Sequence, residues 1–170
     1  MTVPGSASRT LVRARAAVTL LFLVYGVILG TWTARIPAVK HRLGLSDTQL
    51  SVGLLAFAAG AILGMQVAGR LVDRFGSRTV MFPAVLVDAA LLVPPAFAGN
   101  LAVLAGCLVA FGAVHGTLNV SMNVNAVEVQ AAYGRPIISS CHAVYSVGGF
   151  RLRIHTIGQM KSEVNRLWWL

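Results

Sequence analysis

Long apolar stretches, separated by short charged or helix-breaking ones, constrain this chain more than any other feature. The first is "AAVTLLFLVYGVILGTWTA", Ala16 to Ala34. In a bilayer the backbone N–H and C=O groups must bond within their own segment, so a run of about 20 apolar residues reads as a helix that crosses the membrane. Similar runs cover roughly 48–71, 79–97 and 101–128. A fifth, 136–150, stops a few residues short of a comfortable span. The chain is 56% hydrophobic and only 11% charged, against about 25% charged in a soluble domain. A soluble fold of this composition would expose large apolar patches and aggregate. The expected class is an all-α membrane protein with four full spans and part of a fifth.

The first run is too long for a signal peptide, lacks a small-residue cleavage site and is followed by further spans. It reads as a transmembrane helix, with Trp32 as an aromatic anchor near its far end. "RIPAVKHRLGLSD" then reads as a connector in which Pro37 breaks the helix and Ser46 or Asp47 caps the next one. Residues 69–78 and 129–135 read as loops, and Pro94-Pro95 ends the third span. The formal net charge is +9, but the basic residues sit in clusters between apolar runs rather than along one soluble face. That distribution reports topology and headgroup contact, not nucleic acid. With residues 1–15 and the 69–78 segment both basic, the N-terminus is expected on the cytoplasmic side of the plasma membrane, although Arg35, Lys40 and Arg42 load the opposite side. Cys107 and Cys141 lie in apolar sequence without ligand spacing and read as inert thiols.

Within the spans, glycines recur four apart: Gly26/Gly30, Gly60/Gly64 and Gly112/Gly116. Such pairs let helices approach closely in lipid. Asp88 lies mid-span, where an ionisable group is costly unless it faces protein or water. It is either a proton or cation site or a hydrogen-bonding tie between helices. In "HGTLNVSMNVNAVE", His115, Asn119 and Asn123 are spaced i, i+4, i+8 and share one face. As a set they read as cavity lining, and the two amides suit a neutral polar solute such as a sugar or polyol. Glu128 and Arg135 are placed to pair across the following loop, and His142 is a further candidate. No GxSxG, Walker loop or HExxH occurs, and Ser139, Ser140 and His142 have no acid partner in sequence. The chain is therefore read as no enzyme, with no cofactor and no metal site.

"GRLVDRFGSRTV" supplies the sharpest motif. Gly69, Asp73, Arg74, Gly76 and Arg78 match G-x-x-x-D-[RK]-x-G-[RK]-[RK], which resembles the signature between helices two and three of the major facilitator superfamily. It departs at Ser77, where that family usually has a basic residue. "GTWTARIPAVKHRLGLSDTQL" and "MNVNAVEVQAAYGRPIISSCHAVYSVGGF" resemble the bacterial permease branch containing the rhizopine-transport-like membrane proteins, and the latter more distantly the fucose permease region. The resemblance covers about residues 15–150. It implies a secondary active transporter of a small solute, two six-helix halves rocking about a midplane site, and possible coupling to a proton or cation. It would make Asp73 and Arg74 gate residues, Asn119, Asn123 and His142 cavity residues, and Arg35 a weaker candidate. "CLVAFGAVHG" lacks the arginine usual in proton-coupled drug exporters, which lowers that reading. Against a twelve-helix family, this sequence reads as an N-terminal fragment without its C-terminal half. Residues 151–170, abruptly basic, read as a divergent tail from a frameshift or truncation, and the chain alone is expected to be inactive. The alternative is a small polytopic interaction protein whose tail lies on the membrane surface through Trp168 and Trp169.

Overall fold

A computed structural model describes residues 5–149. The residue at which the fifth run ends, Phe150, and the expected surface tail with Trp168 and Trp169 lie outside the described residues. The described chain is helical and contains no strand. Helix α1 is Gly5–Leu43, α2 is Asp47–Phe75, α3 is Ser77–Ala90 and α4 is Leu101–Tyr133. A 3-10 turn, Pro94–Phe97, follows α3, and residues 138–149 form α5. Among the described residues four segments are long and apolar enough to cross a membrane, the third running from Ser77 to Phe97.

Local chemistry sets the helix starts. Ser46 Oγ accepts the Gln49 amide at 3.2 Å while Gln49 Oε1 accepts the Ser46 amide at 3.0 Å, a reciprocal cap on α2. Asn100 Oδ1 accepts the Val103 amide at 2.9 Å at the start of α4. Gln130, inside α4, reaches over the turn and takes the amides of Ile137 and Ile138 at 2.9 and 3.3 Å, orienting the start of α5.

Three expectations about helix limits are corrected. Pro37 does not break α1, which runs through it to Leu43. The stop lies at Gly44, φ 59°, where Leu45 N–H bonds Lys40 C=O and Gly44 N–H bonds His41 C=O. That paired pattern closes a helix through a left-handed glycine, whereas a membrane helix tolerates the single hydrogen bond that proline removes. Residues 69–75 are not a loop either; they are the last two turns of α2. The chain reverses at one residue, Gly76, whose φ of 82° and ψ of 151° are open only to glycine without strain. The expected 129–135 loop is likewise helical to Tyr133 and turns at Gly134.

Helix α4 is the spine of the bundle. Its small residues meet those of α2 in an interlocked seam. A Cβ at Gly60 or Gly64 would overlap the carbonyls of Val109 and Ala113, and one at Gly112 or Gly116 would overlap those of Phe57 and Ala61. The same device joins α1 to α5, where a Cβ at Gly26 would overlap the Tyr145 carbonyl and one at Gly30 would lie 2.9 Å from the Gly149 Cα. Two apolar clusters fill the remaining space. One gathers Phe22, Met81, Leu118, Met122 and Ile137; the other gathers Ile28, Trp32, Leu104, Leu108 and Phe111. Trp32 is therefore a core residue and not an interfacial anchor: it is buried, and its ring meets Phe111 edge to face.

Candidate functional site

Among the described residues, a polar centre sits inside the bundle where α1, α3, α4 and α5 converge. Asp88 of α3 is completely buried, and its Oδ2 lies 2.9 Å from His115 Nδ1 of α4. At that distance a hydrogen lies between the two atoms, so the pair carries at least one proton. The His115 ring stacks on Tyr25 of α1, centroids 4.0 Å apart and planes 12° from parallel. Phe57 of α2 and Phe111 of α4 close the other sides, each 5.7 Å away. Tyr25 Oη in turn accepts the Asn119 side-chain amide at 3.1 Å. Asn123 donates to the Asn119 carbonyl at 2.8 Å, and Tyr145 of α5 sits 5.5 Å from Tyr25 ring to ring.

Asp88, singled out as a mid-span acid, and His115, Asn119 and Asn123, singled out from their spacing, are thus brought into one network. Two polar atoms in it, Asp88 Oδ1 and His115 Nε2, are buried without a hydrogen-bond partner among the described residues. Leaving such groups unmet costs about 1–3 kcal/mol each, so the centre has capacity for a further donor and acceptor. His142 is not part of it. It is exposed on α5, with its ring edge-on to Phe22 at 5.2 Å. Arg35 is also apart, at the rim of a cavity of about 420 Å³ between α1 and the turn after α3, together with Arg42. Arg42 donates to the Pro95 carbonyl at 3.3 Å.

The signature residues collect at the other end of the bundle. Asp73, Arg74 and Arg78 are exposed, and Arg74 lies over the Phe75 ring at 5.4 Å. Among the described residues the only carboxylate ion pairs are Lys40–Asp47 and His115–Asp88. Asp73 has no such partner, and the expected Glu128–Arg135 pair is not formed. Glu128 instead accepts the Ser77 hydroxyl at 2.9 Å and the Asn125 amide at 3.4 Å. Asn125 also donates to Ser77 Oγ at 3.3 Å. The correction has a simple cause: α4 continues to Tyr133, so Glu128 faces the start of α3 rather than the loop that carries Arg135. It also gives a role to the departure at position 77, where a compact buried hydroxyl ties the first turn of α3 to α4.

Tyr25, Ser77, Asn125 and Gln130 were missed in the sequence. Tyr25 stands alone in an apolar run, and only the packing of α1 on α4 places it beside His115. Asn125 offered a signal, as a third asparagine in "NVSMNVN", but it lies off the i, i+4, i+8 face. Among the described residues no group of His, Cys, Asp and Glu could hold a metal ion.

Residues 5–149 match the family profile of the Major Facilitator Superfamily. Curated relatives agree. An uncharacterized transporter of Sinorhizobium fredii, y4wD, is 37% identical over 131 residues, which is 75% of this chain and 34% of that protein. An uncharacterized MFS-type transporter of Yersinia pestis is 36% identical over 133 residues, 76% of this chain and 34% of its own length. Membrane protein MosC of Rhizobium meliloti is 34% identical over 132 residues, 78% of this chain and 32% of its own. The chain thus spans about a third of the length of the curated relatives it matches. No solved structure matches. Helices that can span a bilayer, the signature across the α2–α3 junction, and a match that covers all the described residues lead to one conclusion: this protein belongs to the Major Facilitator Superfamily.

Proposed function

We propose that the chain contributes to secondary transport of a small, neutral, polar solute of the sugar or polyol class. The observation that carries the reading is the Asp88–His115–Tyr25–Asn119 polar centre inside the bundle. Asn119 and Asn123 present amides, Tyr25 a hydroxyl and a ring face, and these are the groups that bind a polyhydroxylated ligand. Asp88 and His115 beside them would serve a coupling proton, because an imidazole–carboxylate pair that shares one proton has room to take up a second and release it again. In this proposal the end bearing Asp73, Arg74 and Arg78 faces the cytoplasm. Gly76 turns the chain after Asp73 and Arg74, and exposed Asp73 is free to meet a part of the transporter beyond the described helices. His142 and Arg35 would act, if at all, on the route to the centre rather than within it.

The proposal treats the 170-residue chain as insufficient for transport by itself. Vesicles containing this chain alone should accumulate none of a panel of labelled monosaccharides and polyols, and uptake would overturn that point. The solute class is tested by binding of the same panel to the chain in nanodiscs. Binding that disappears in Asn119→Ala is expected. Equal binding by wild type and Asn119→Ala would remove the amide stripe from the solute site.

A further inference from the structure

A second site lies on the flank of the bundle, away from the polar centre. Between α1, α3 and α4 runs a trench of about 370 Å³ whose walls include Leu21, Met81, Phe82 and Val129. Its mouth, at the end of the bundle that carries the signature, is set by Arg13 of α1 and Arg78 of α3. Both arginines are exposed, and neither makes a hydrogen bond or ion pair among the described residues. Among the described residues no acidic side chain lines the trench. The nearest carboxylate by bonding, Glu128, is already engaged by Ser77 and Asn125. Phe82 is 60% exposed on one wall, an apolar surface left open among the described residues.

We propose that this trench binds an anionic phospholipid, its phosphate held by Arg13 and Arg78 and one acyl chain laid along the apolar walls. Three features select that occupant. The two guanidinium groups come from different helices and carry donors suited to phosphate oxygens. They sit where the apolar run of α1 begins and where α3 starts, which is the level of a headgroup in a spanning bundle. From Arg13 to Leu21 the trench follows α1 for about 12 Å at 1.5 Å per residue, enough for a large part of an acyl chain. Basic pockets between membrane helices bind acidic headgroups in this way. A separate cavity at the opposite end of the bundle supplies an internal contrast. There Arg42 is committed to the Pro95 carbonyl, and Arg35 remains without a second free arginine beside it. The proposal does not depend on which solute the polar centre takes.

The test counts lipids that stay with the purified full chain by native mass spectrometry, after exchange into micelles holding equal phosphatidylglycerol and phosphatidylcholine. Wild type is expected to retain phosphatidylglycerol about tenfold over phosphatidylcholine. R13Q/R78Q should lose that preference, while R35Q/R42Q, which removes the same charge at the other end, should keep it. Equal preference in all three proteins, or equal loss in the two doubles, would overturn the site. A17W fills the trench without touching charge and should also release the lipid. It carries the test if R13Q/R78Q loses helicity by circular dichroism. Retention unchanged in A17W would show that charge alone holds the lipid and would sink the trench. Millimolar glycerol 1-phosphate should not displace it; full displacement would assign the site to a soluble phosphate instead.

Discussion

Where α2 meets α4, backbone lies on backbone. Where α1, α3 and α4 meet, side chains from every partner fill the space, and several are polar. The first interface uses four glycines so that two helices approach until carbonyls and Cα atoms touch. Its stability comes from dispersion contacts over a complementary surface, because lipid offers no hydrophobic drive to bring the helices together. The second is built from Asp88, His115, Tyr25 and Asn119, each held by a named partner. Its stability depends on satisfying polar groups that water cannot reach. The contrast teaches that small changes are ruinous in the seam, while matched changes are tolerated in the polar centre.

The strongest way to break the comparison is to add volume to the seam. Gly64→Leu would drive a side chain into the Ala113 backbone, which no rotamer can avoid. We expect a loss of about 3 kcal/mol or more in a reversible unfolding assay in micelles, at the upper end for overpacking. A loss below about 1 kcal/mol would show that α2 and α4 can part without penalty, and the seam would lose its special status.

The polar centre should respond to mismatch. Asp88→Ala leaves His115 buried without its partner and should cost about 1–3 kcal/mol. Asp88→Asn keeps a hydrogen-bonding group and should recover part of it. The double replacement Asp88→Leu/His115→Leu removes both polar groups and should fall well below the sum of the single losses. Strict additivity in that double-mutant cycle would mean the two residues do not act as a pair.

Helix ends give smaller effects. Ser46→Ala removes one half of the reciprocal cap on α2 and should cost about 1 kcal/mol in the same assay. Smallest of all is Asp47→Asn. Its contact with Lys40 is solvent-exposed and screened, so we expect no measurable change in stability. A clear drop would place that pair in a role that exposure argues against.

Much of this was legible before any coordinates. The four spans follow from apolar runs, and the start of α2 follows from Ser46 and Asp47 as cap candidates, of which the structure uses Ser46. The three glycine pairs named their own close approaches. The i, i+4, i+8 spacing put His115, Asn119 and Asn123 on the face that meets Tyr25. What failed was local punctuation. Pro37 and the charged 69–75 segment read as helix ends, because in a soluble chain proline and charge usually mark them. In a long helix held on its sides by neighbours, neither is enough to stop it, and a glycine with positive φ is. Glu128 and Arg135 looked like a pair because they are close in sequence, yet the extra turn of α4 directs Glu128 to Ser77.

The sequence by itself determined that this chain is a bundle of membrane helices and that its α2–α3 junction carries a family signature. Both depend on local composition: the length of apolar runs, and the few residues that can turn the backbone within one step. Only the tertiary structure decided which polar groups meet. Asp88 and His115 are 27 residues apart, and Tyr25 and Asn119 are 94 apart. Their contact depends on how α1, α3 and α4 settle against one another, and no local pattern encodes that. The same holds for the trench lined by Arg13 and Arg78, which lie 65 positions apart in sequence, two turns into α1 and at the start of α3.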